Sequence, residues 1–198
     1  MATPALFPSI DFDRFVWLKR IEAGLLLEVG AQSPDLLSIP AKDAQQVLSE
    51  TVRLVLDLPR NSTPFVVWTK GDSELLVHSD KTRISLSSGV VTLSITVECE
   101  EHGKLVIPVP IGVGTNQSPI GLVMATFEDL EGPAELVEAW SDAIIAFAWE
   151  ALLEIARVIC GEVGKDKRGL PLVPGSIGAS SNRLLLQPVS RFSLMPEV

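Results

Sequence analysis

The spacing of apolar residues in the N-terminal part of the chain predicts two amphipathic helices. Over residues 12–29, apolar side chains recur at roughly helical spacing with charged residues between them. Residues 32–40 lack this periodicity and are predicted to form a loop. Residues 41–58 are predicted to form the second helix, because their apolar side chains share one stripe and Pro59 then ends it. The stripe comprises Ala44, Val47, Leu48, Val52, Val55 and Leu56.

From residue 65 onward the pattern changes to the alternation and β-branched composition that are typical of strands. Short turn sequences separate several of these runs, which predicts an antiparallel meander of about five or six strands. In the fourth run, alternate residues from Val91 to Cys99 share an apolar face, so Cys99 is predicted to be a small core residue. The predicted strands are residues 65–69, 74–79, 83–86, 90–98, 104–113 and 120–127.

Two prolines in the fifth run restrict its place in the sheet. Pro108 and Pro110 are two residues apart, so both missing N–H groups lie on the same side of the strand. The strand is therefore predicted to be an edge strand or to be bulged at this point.

The longest predicted helix begins at Gly132-Pro133 and ends near Cys160. Its centre is apolar nearly all round, because Ile145 and Trp149 interrupt the polar stripe. Such a helix is either deeply buried or needs cover on a second side from another helix or subunit. Either the N-terminal helix supplies it within the chain, or a second copy supplies it in a homodimer.

The chain is predicted to hold one α+β domain with an extension at each end. Residues 1–37 form the N-terminal helical extension, and residues 38–164 form an antiparallel five- to six-stranded sheet flanked by helices. Residues 165–198 are rich in Pro, Gly and Ser and contain short apolar clusters. This composition predicts an extended C-terminal tail with docking segments.

Charge and targeting signals narrow the possible partners. The sequence has 16 Lys and Arg against 25 Asp and Glu, a net charge of −9, which disfavours nucleic acid and anionic membrane surfaces. The N-terminus lacks a signal-peptide pattern, and no apolar run approaches about 20 residues. Two cysteines, Cys99 and Cys160, lack paired metal-ligand spacing. These features predict a cytoplasmic protein without membrane insertion.

Part of the sequence resembles a known family. Residues 104–111, then residues 118–127 with Ile120-Gly121, then an acidic turn and the long helix are similar to the last third of a GAF domain. Residues 41–58 and the strands within 65–79 occupy positions similar to the start of that fold. The resemblance covers about residues 38–163, and a PAS-like or profilin-like sheet would have much the same pattern.

The resemblance implies a fold and a general role but no particular ligand. Cys99 and His102 do not form the adjacent Cys-His pair of bilin-binding members. The nucleotide-binding motif and the three cysteines of sulfoxide-reducing members are also missing from the sequence.

Few residues suit catalysis, because the sequence contains only two histidines and two cysteines. We predict no catalytic residues, no metal site and no cofactor. The loops at 79–88 and 112–118 are predicted to border a ligand pocket, with His78, Trp68 and Asn116 as candidate ligand-binding residues.

The leading hypothesis is a non-catalytic regulatory or assembly module that binds a partner protein, forms a homodimer, or does both. The alternative is a small-molecule-sensing, GAF-like domain, and an enzyme is the least supported class. The candidate partner contacts lie on the helices and the tail: Trp17, Ile145, Trp149, Leu185 and Phe192.

Overall fold

The computed structural model describes residues 36–56, 58, 62–115 and 130–190, which form an α+β fold with antiparallel sheets. The predicted helix at 12–29 and the predicted strand at 120–127 lie outside the described residues. The elements are β1 (Leu37–Pro40), α1 (Ala41–Val55), β2 (Phe65–Lys70), β3 (Ser73–Ser87), β4 (Val90–Cys99), β5 (Gly103–Gly112), α2 (Ala134–Val163), β6 (Val173–Ser180) and β7 (Arg183–Val189).

The first sheet has four antiparallel strands in the order β2-β3-β4-β5. This order confirms the predicted meander for these strands, with one difference. Residues 74–79 and 83–86, predicted as separate strands, belong to the single strand β3, whose pairing with β4 shifts register between His78 and Arg83. The polar residues at this irregularity resembled a turn in the sequence, but they lie within the strand.

Among the described strands β5 is the last in this sheet, which fits the prediction that its prolines place it at an edge or at a bulge. Pro108 pairs with Ser94 and Pro110 pairs with Thr92, so both prolines occupy positions of the same parity on the strand. Because neither residue has an N–H group, these positions suit the side of β5 that faces away from the ladder.

The C-terminal region is folded into the protein, so the prediction of an extended tail is wrong for residues 173–189. The strands β6 and β7 form a hairpin that pairs with β1 in a three-stranded sheet, in the order β1-β7-β6. Residues Leu37–Pro40, predicted to be part of a loop, are therefore a strand. In the described part of the chain the strands form two sheets, of four and three strands, and the predicted single sheet of five or six strands is not confirmed. The core-facing residues Ile177, Ala179, Leu184 and Leu186 are fully buried.

The two sheets meet at a contact between glycines, which we call the sheet junction. The Gly114 N–H donates to Ile177 O (3.1 Å), and the Ala179 N–H donates to Gly114 O (2.8 Å). The Gly89 N–H also donates to Ala179 O at 3.0 Å. A Cβ atom on Gly178 would lie 2.9 Å from Gly114 O, closer than real Cβ atoms approach, so the junction requires glycine at position 178.

The helices α1 and α2 contact each other and strands of both sheets. In α1, the predicted stripe is confirmed, because Ala44, Leu48, Val52 and Leu56 are buried. The centre of α2 is buried nearly all round, with Phe147 fully enclosed. The predicted apolar character of this helix therefore corresponds to a position inside the core.

Candidate functional site

A cleft of about 610 Å³ opens at the end of the four-stranded sheet opposite the sheet junction. Three segments form it: the β2–β3 turn, the β4–β5 turn and the first turns of α2. We call it the acidic cleft. Its lining residues are Val67, Asp72, Ser73, Glu74, Leu75, Leu76, Glu98, Cys99, Glu100, Glu101, His102, Glu135, Leu136, Ala139 and Trp140.

Two glycines with positive φ shape the turns of the cleft. Gly71, with φ of 61°, lies in the short turn that precedes Ser73, and Gly103, with φ of 63°, begins β5. Both backbone conformations are in the left-handed region, which glycine adopts without a Cβ clash. The chain can therefore reverse within a few residues and present Asp72 and His102 at the mouth of the cleft.

The floor of the cleft is apolar and is anchored in the core. Trp140 and Leu136 are 6% and 4% exposed. The Trp140 ring lies 6.3 Å from the Trp68 ring, which in turn makes an edge contact with Phe147 at 5.9 Å. Aromatic contacts of this kind hold the rings in fixed positions. Trp68, a predicted ligand-binding residue, therefore supports the floor from behind and does not line it.

The walls of the cleft are strongly acidic. Six lining residues carry carboxylates, and His102 is the one lining residue with a basic side chain. Concave sites lined by one sign of charge concentrate ions of the opposite sign. The acidic cleft is therefore suited to a positively charged group. Its carboxylate residues are Asp72, Glu74, Glu98, Glu100, Glu101 and Glu135.

Two of these carboxylates are held by histidines. His102 Nε2 lies 3.2 Å from Glu135 Oε2, which connects the β4–β5 turn to the start of α2. His78 Nε2 lies 3.2 Å from Glu98 Oε2. The His78 side chain is only 11% exposed and makes an edge contact with Phe65. His78, predicted to bind a ligand, thus lies outside the lining and positions Glu98 instead.

The predicted pocket and the observed cleft are at different places. Residues 79–87 of the predicted bordering loop belong to β3, and the cleft forms at the other end of that strand. The third predicted ligand residue, Asn116, lies outside the described residues. The one signal for the cleft in the sequence is the cluster of charged residues from Glu98 to His102. The sequence does not indicate which residues of β3 and α2 lie beside this cluster.

The predicted partner contacts have little free surface. Trp149 and Leu185 are 4% and 5% exposed within the single chain, and Ile145 is half-buried. A partner could reach the first two only if the residues that cover them moved. Trp17 and Phe192 lie outside the described residues. Partner contact and homodimer formation at these positions stay predictions.

The two thiols have different environments. Cys99 was predicted to be a core residue, but it is half-buried because it is the last residue of β4 and lines the cleft. Burial raises the pKa of the Cys160 thiol to about 12, so this cysteine is an unreactive core residue. Within residues 36–190, wherever the structure describes them, no group of three His, Cys, Asp or Glu side chains is placed to hold a metal ion.

No family model matches the chain, and no match is found among curated proteins or among solved structures. None of the helices in the described part of the chain has the length and apolar character needed to cross a membrane.

Proposed function

We propose that this chain is a non-catalytic binding module that takes a positively charged, partly apolar segment of a partner protein in the acidic cleft. The observation that carries the proposal is the combination of six carboxylates around a buried tryptophan and leucine floor. Lys and Arg side chains have the matching chemistry, because an apolar stem carries a charged head group. The stem would lie over Trp140 and Leu136, and the head group would reach the carboxylates.

This proposal places the binding surface on the acidic cleft instead of the centre of α2 and the C-terminal segment. The hairpin formed by β6 and β7 is part of the core, and Trp149 is buried, so neither offers much surface for docking. A regulatory or assembly role and a relationship to GAF domains are compatible with such a module and remain parts of the proposal.

A peptide titration tests the proposed function. The probes are a short synthetic peptide that alternates Lys with Leu and a matched peptide that alternates Glu with Leu, both followed by calorimetry. We expect the Lys peptide alone to bind, with an affinity that falls as salt is added, because exposed charge pairs are screened. Binding of the two peptides with equal affinity, or of neither, would contradict the proposal.

Charge-neutralising variants locate the binding site. Replacing Glu100 and Glu101 together with Gln should weaken binding of the Lys peptide several-fold, because both residues line the cleft. The matched control replaces Asp43 with Asn and Glu50 with Gln, which removes the same number of charges from exposed positions on α1. The control should bind like the native chain. Equal weakening in both variants would indicate a response to net charge and would count against the cleft.

A small cationic metabolite is the second candidate ligand. The volume of about 610 Å³ lies within the range of about 300–1,000 Å³ that is typical of small-molecule sites. An aliphatic polyamine such as spermidine has spaced cations joined by apolar methylene groups. Tighter binding of spermidine than of the Lys peptide, abolished by the Glu100 and Glu101 replacements, would favour this sensor function.

A further inference from the structure

One hydrogen bond joins two of the segments that form the acidic cleft. His102 comes from the β4–β5 turn and Glu135 from the first turn of α2, and their Nε2 and Oε2 atoms are 3.2 Å apart. Both residues line the cleft. Their side chains are 28% and 76% exposed, so the contact lies at the mouth of the cleft and not on its floor.

The second histidine–carboxylate contact at this end of the sheet differs in exposure. His78 is held in the sheet with only 11% of its side chain exposed, so its bond to Glu98 is fixed by packing. His102 follows two glutamates in a turn and is more than twice as exposed. Of the two contacts, the one between His102 and Glu135 is therefore the one that a ligand can replace.

We infer that the contact between His102 and Glu135 is an autoinhibitory latch that the partner's cation displaces. This inference rests on the proposed function and adds a way for the cleft to select among positively charged and neutral ligands. A neutral donor would exchange one hydrogen bond for an equivalent one. A guanidinium group can donate to both carboxylate oxygens at once, in a fixed bidentate geometry that the single Nε2–H of a histidine cannot match. The cleft thus selects segments with a permanent cation, Arg above all.

The test is a double-mutant cycle on binding of Arg-Leu and Lys-Leu alternating peptides. We expect His102→Ala to tighten binding of both peptides about two- to fivefold, because the peptide no longer has to break the bond between His102 and Glu135 to reach that carboxylate. In a Glu135→Ala background, His102→Ala should leave the affinity unchanged. His102→Arg should weaken binding, since Arg at position 102 would hold Glu135 more firmly. The native chain should bind the Arg peptide more tightly than the Lys peptide.

Each outcome of this cycle separates the latch from the proposed function. Unchanged affinity in His102→Ala would overturn the latch and leave the cationic cleft intact. The same tightening with and without Glu135 would also overturn it, because removal of a donor from the cleft would then act independently of that carboxylate. Absence of peptide binding in the native chain and in every variant would overturn both. Urea midpoints measured on the same samples identify any variant that is misfolded. If His102→Ala is misfolded, the latch is tested by the weaker peptide binding expected of His102→Arg.

Discussion

The two ends of the four-stranded sheet are built from opposite kinds of residues. The strands β4 and β5 run between them, with Cys99 and Gly103 at the cleft and Val90 and Gly112 near the sheet junction. At the junction, backbone groups bond to one another and glycine is needed for close approach. At the cleft, like charges from three segments gather around an apolar floor.

We infer from this comparison that the two ends of the sheet have different roles, one in stability and one in binding. Like charges held close together repel one another, so an acidic cluster without a bound cation slightly lowers the stability of a fold. The junction contains no such conflict, since its groups satisfy each other. We interpret the junction as the end that stabilises the fold and the cleft as the end that binds a ligand. Binding sites are often less stable than the rest of a protein, because the groups that bind a ligand are not chosen for stability.

The largest expected effect is on the hairpin behind the junction. Leu186 is fully buried, so Leu186→Ala should lower the free energy of unfolding by about 2–5 kcal/mol, as core truncations do. Urea denaturation followed by circular dichroism measures this change. The control is Leu54→Ala, because Leu54 is 68% exposed on α1. Similar values for the two variants would mean that the hairpin is a dispensable tail after all.

A smaller effect is expected at the glycine contact itself. Gly178→Ala places a Cβ atom 2.9 Å from Gly114 O and should lower the free energy of unfolding by about 1–3 kcal/mol, as overpacking does. Gly161→Ala is the matched control, because its Cβ would meet the nearest atom, on Pro171, at an ordinary 3.6 Å. If the Gly178→Ala protein were as stable as Gly161→Ala, the sheet junction would not need glycine at position 178, which would contradict its proposed role in stability.

Asp166 tests how the chain between α2 and β6 is held. The backbone N–H of Leu170 donates to its carboxylate, as do the Arg168 N–H and the Ser190 hydroxyl, and these bonds lower the pKa of Asp166. The stabilisation is therefore full above the ordinary Asp pKa of about 3.9 and is lost as the pH falls through the lowered value. Asp166→Asn should lower the urea midpoint at neutral pH.

The difference between Asp166→Asn and the native chain should disappear in acid, where the native carboxyl is also uncharged. Because Asp166 lies at the surface, the effect should be smaller than that of the two core changes. Glu50→Gln is the control, because Glu50 is exposed on α1 beyond its first turn, and its midpoint should follow the native chain at every pH. A midpoint difference for Asp166→Asn that stays constant across the titration would contradict this role of the charge.

The smallest effect on stability is expected at the cleft. The Glu100→Gln and Glu101→Gln double variant should unfold with a free energy within about 0.5 kcal/mol of the native value, or slightly above it, because surface charges contribute little and these repel one another. The same variant should lose much of its affinity for the Lys peptide. A large loss of stability here would show that the cleft residues support the fold and would weaken the division between the two ends.

Local patterns in the sequence were sufficient to predict α1, α2, β2, β4, β5 and the two parts of β3. Their periodicity is contained within each segment, as in the stripe from Ala44 to Leu56. The two strands after α2 were missed because Pro174, Gly175 and Gly178 resemble a linker, and their burial depends on Gly114, far away in the sequence. Loss of periodicity at the irregularity within β3 likewise divided one strand into two predictions.

The cleft was harder to predict than the fold. Its carboxylates come from three segments, and only the run from Glu98 to His102 is continuous in the sequence. Trp140 was visible as an apolar position of a helix, which is typical of a core residue. Its place beneath a ring of carboxylates follows from the tertiary packing of α2 against the sheet ends, which no local pattern encodes.

The central claim, that the cleft is the cation-binding end of the molecule, is tested most directly by NMR. Amide and indole signals of ¹⁵N-labelled protein would be followed during titration with the Lys-Leu peptide, with the Trp140 indole assigned by Trp140→Phe. We expect the largest shifts at Gly71, Asp72, Gly103 and the Trp140 indole, with little change at Gly114 or Gly178. Shifts centred on the junction or the hairpin, with the Trp140 indole unmoved, would contradict the central claim.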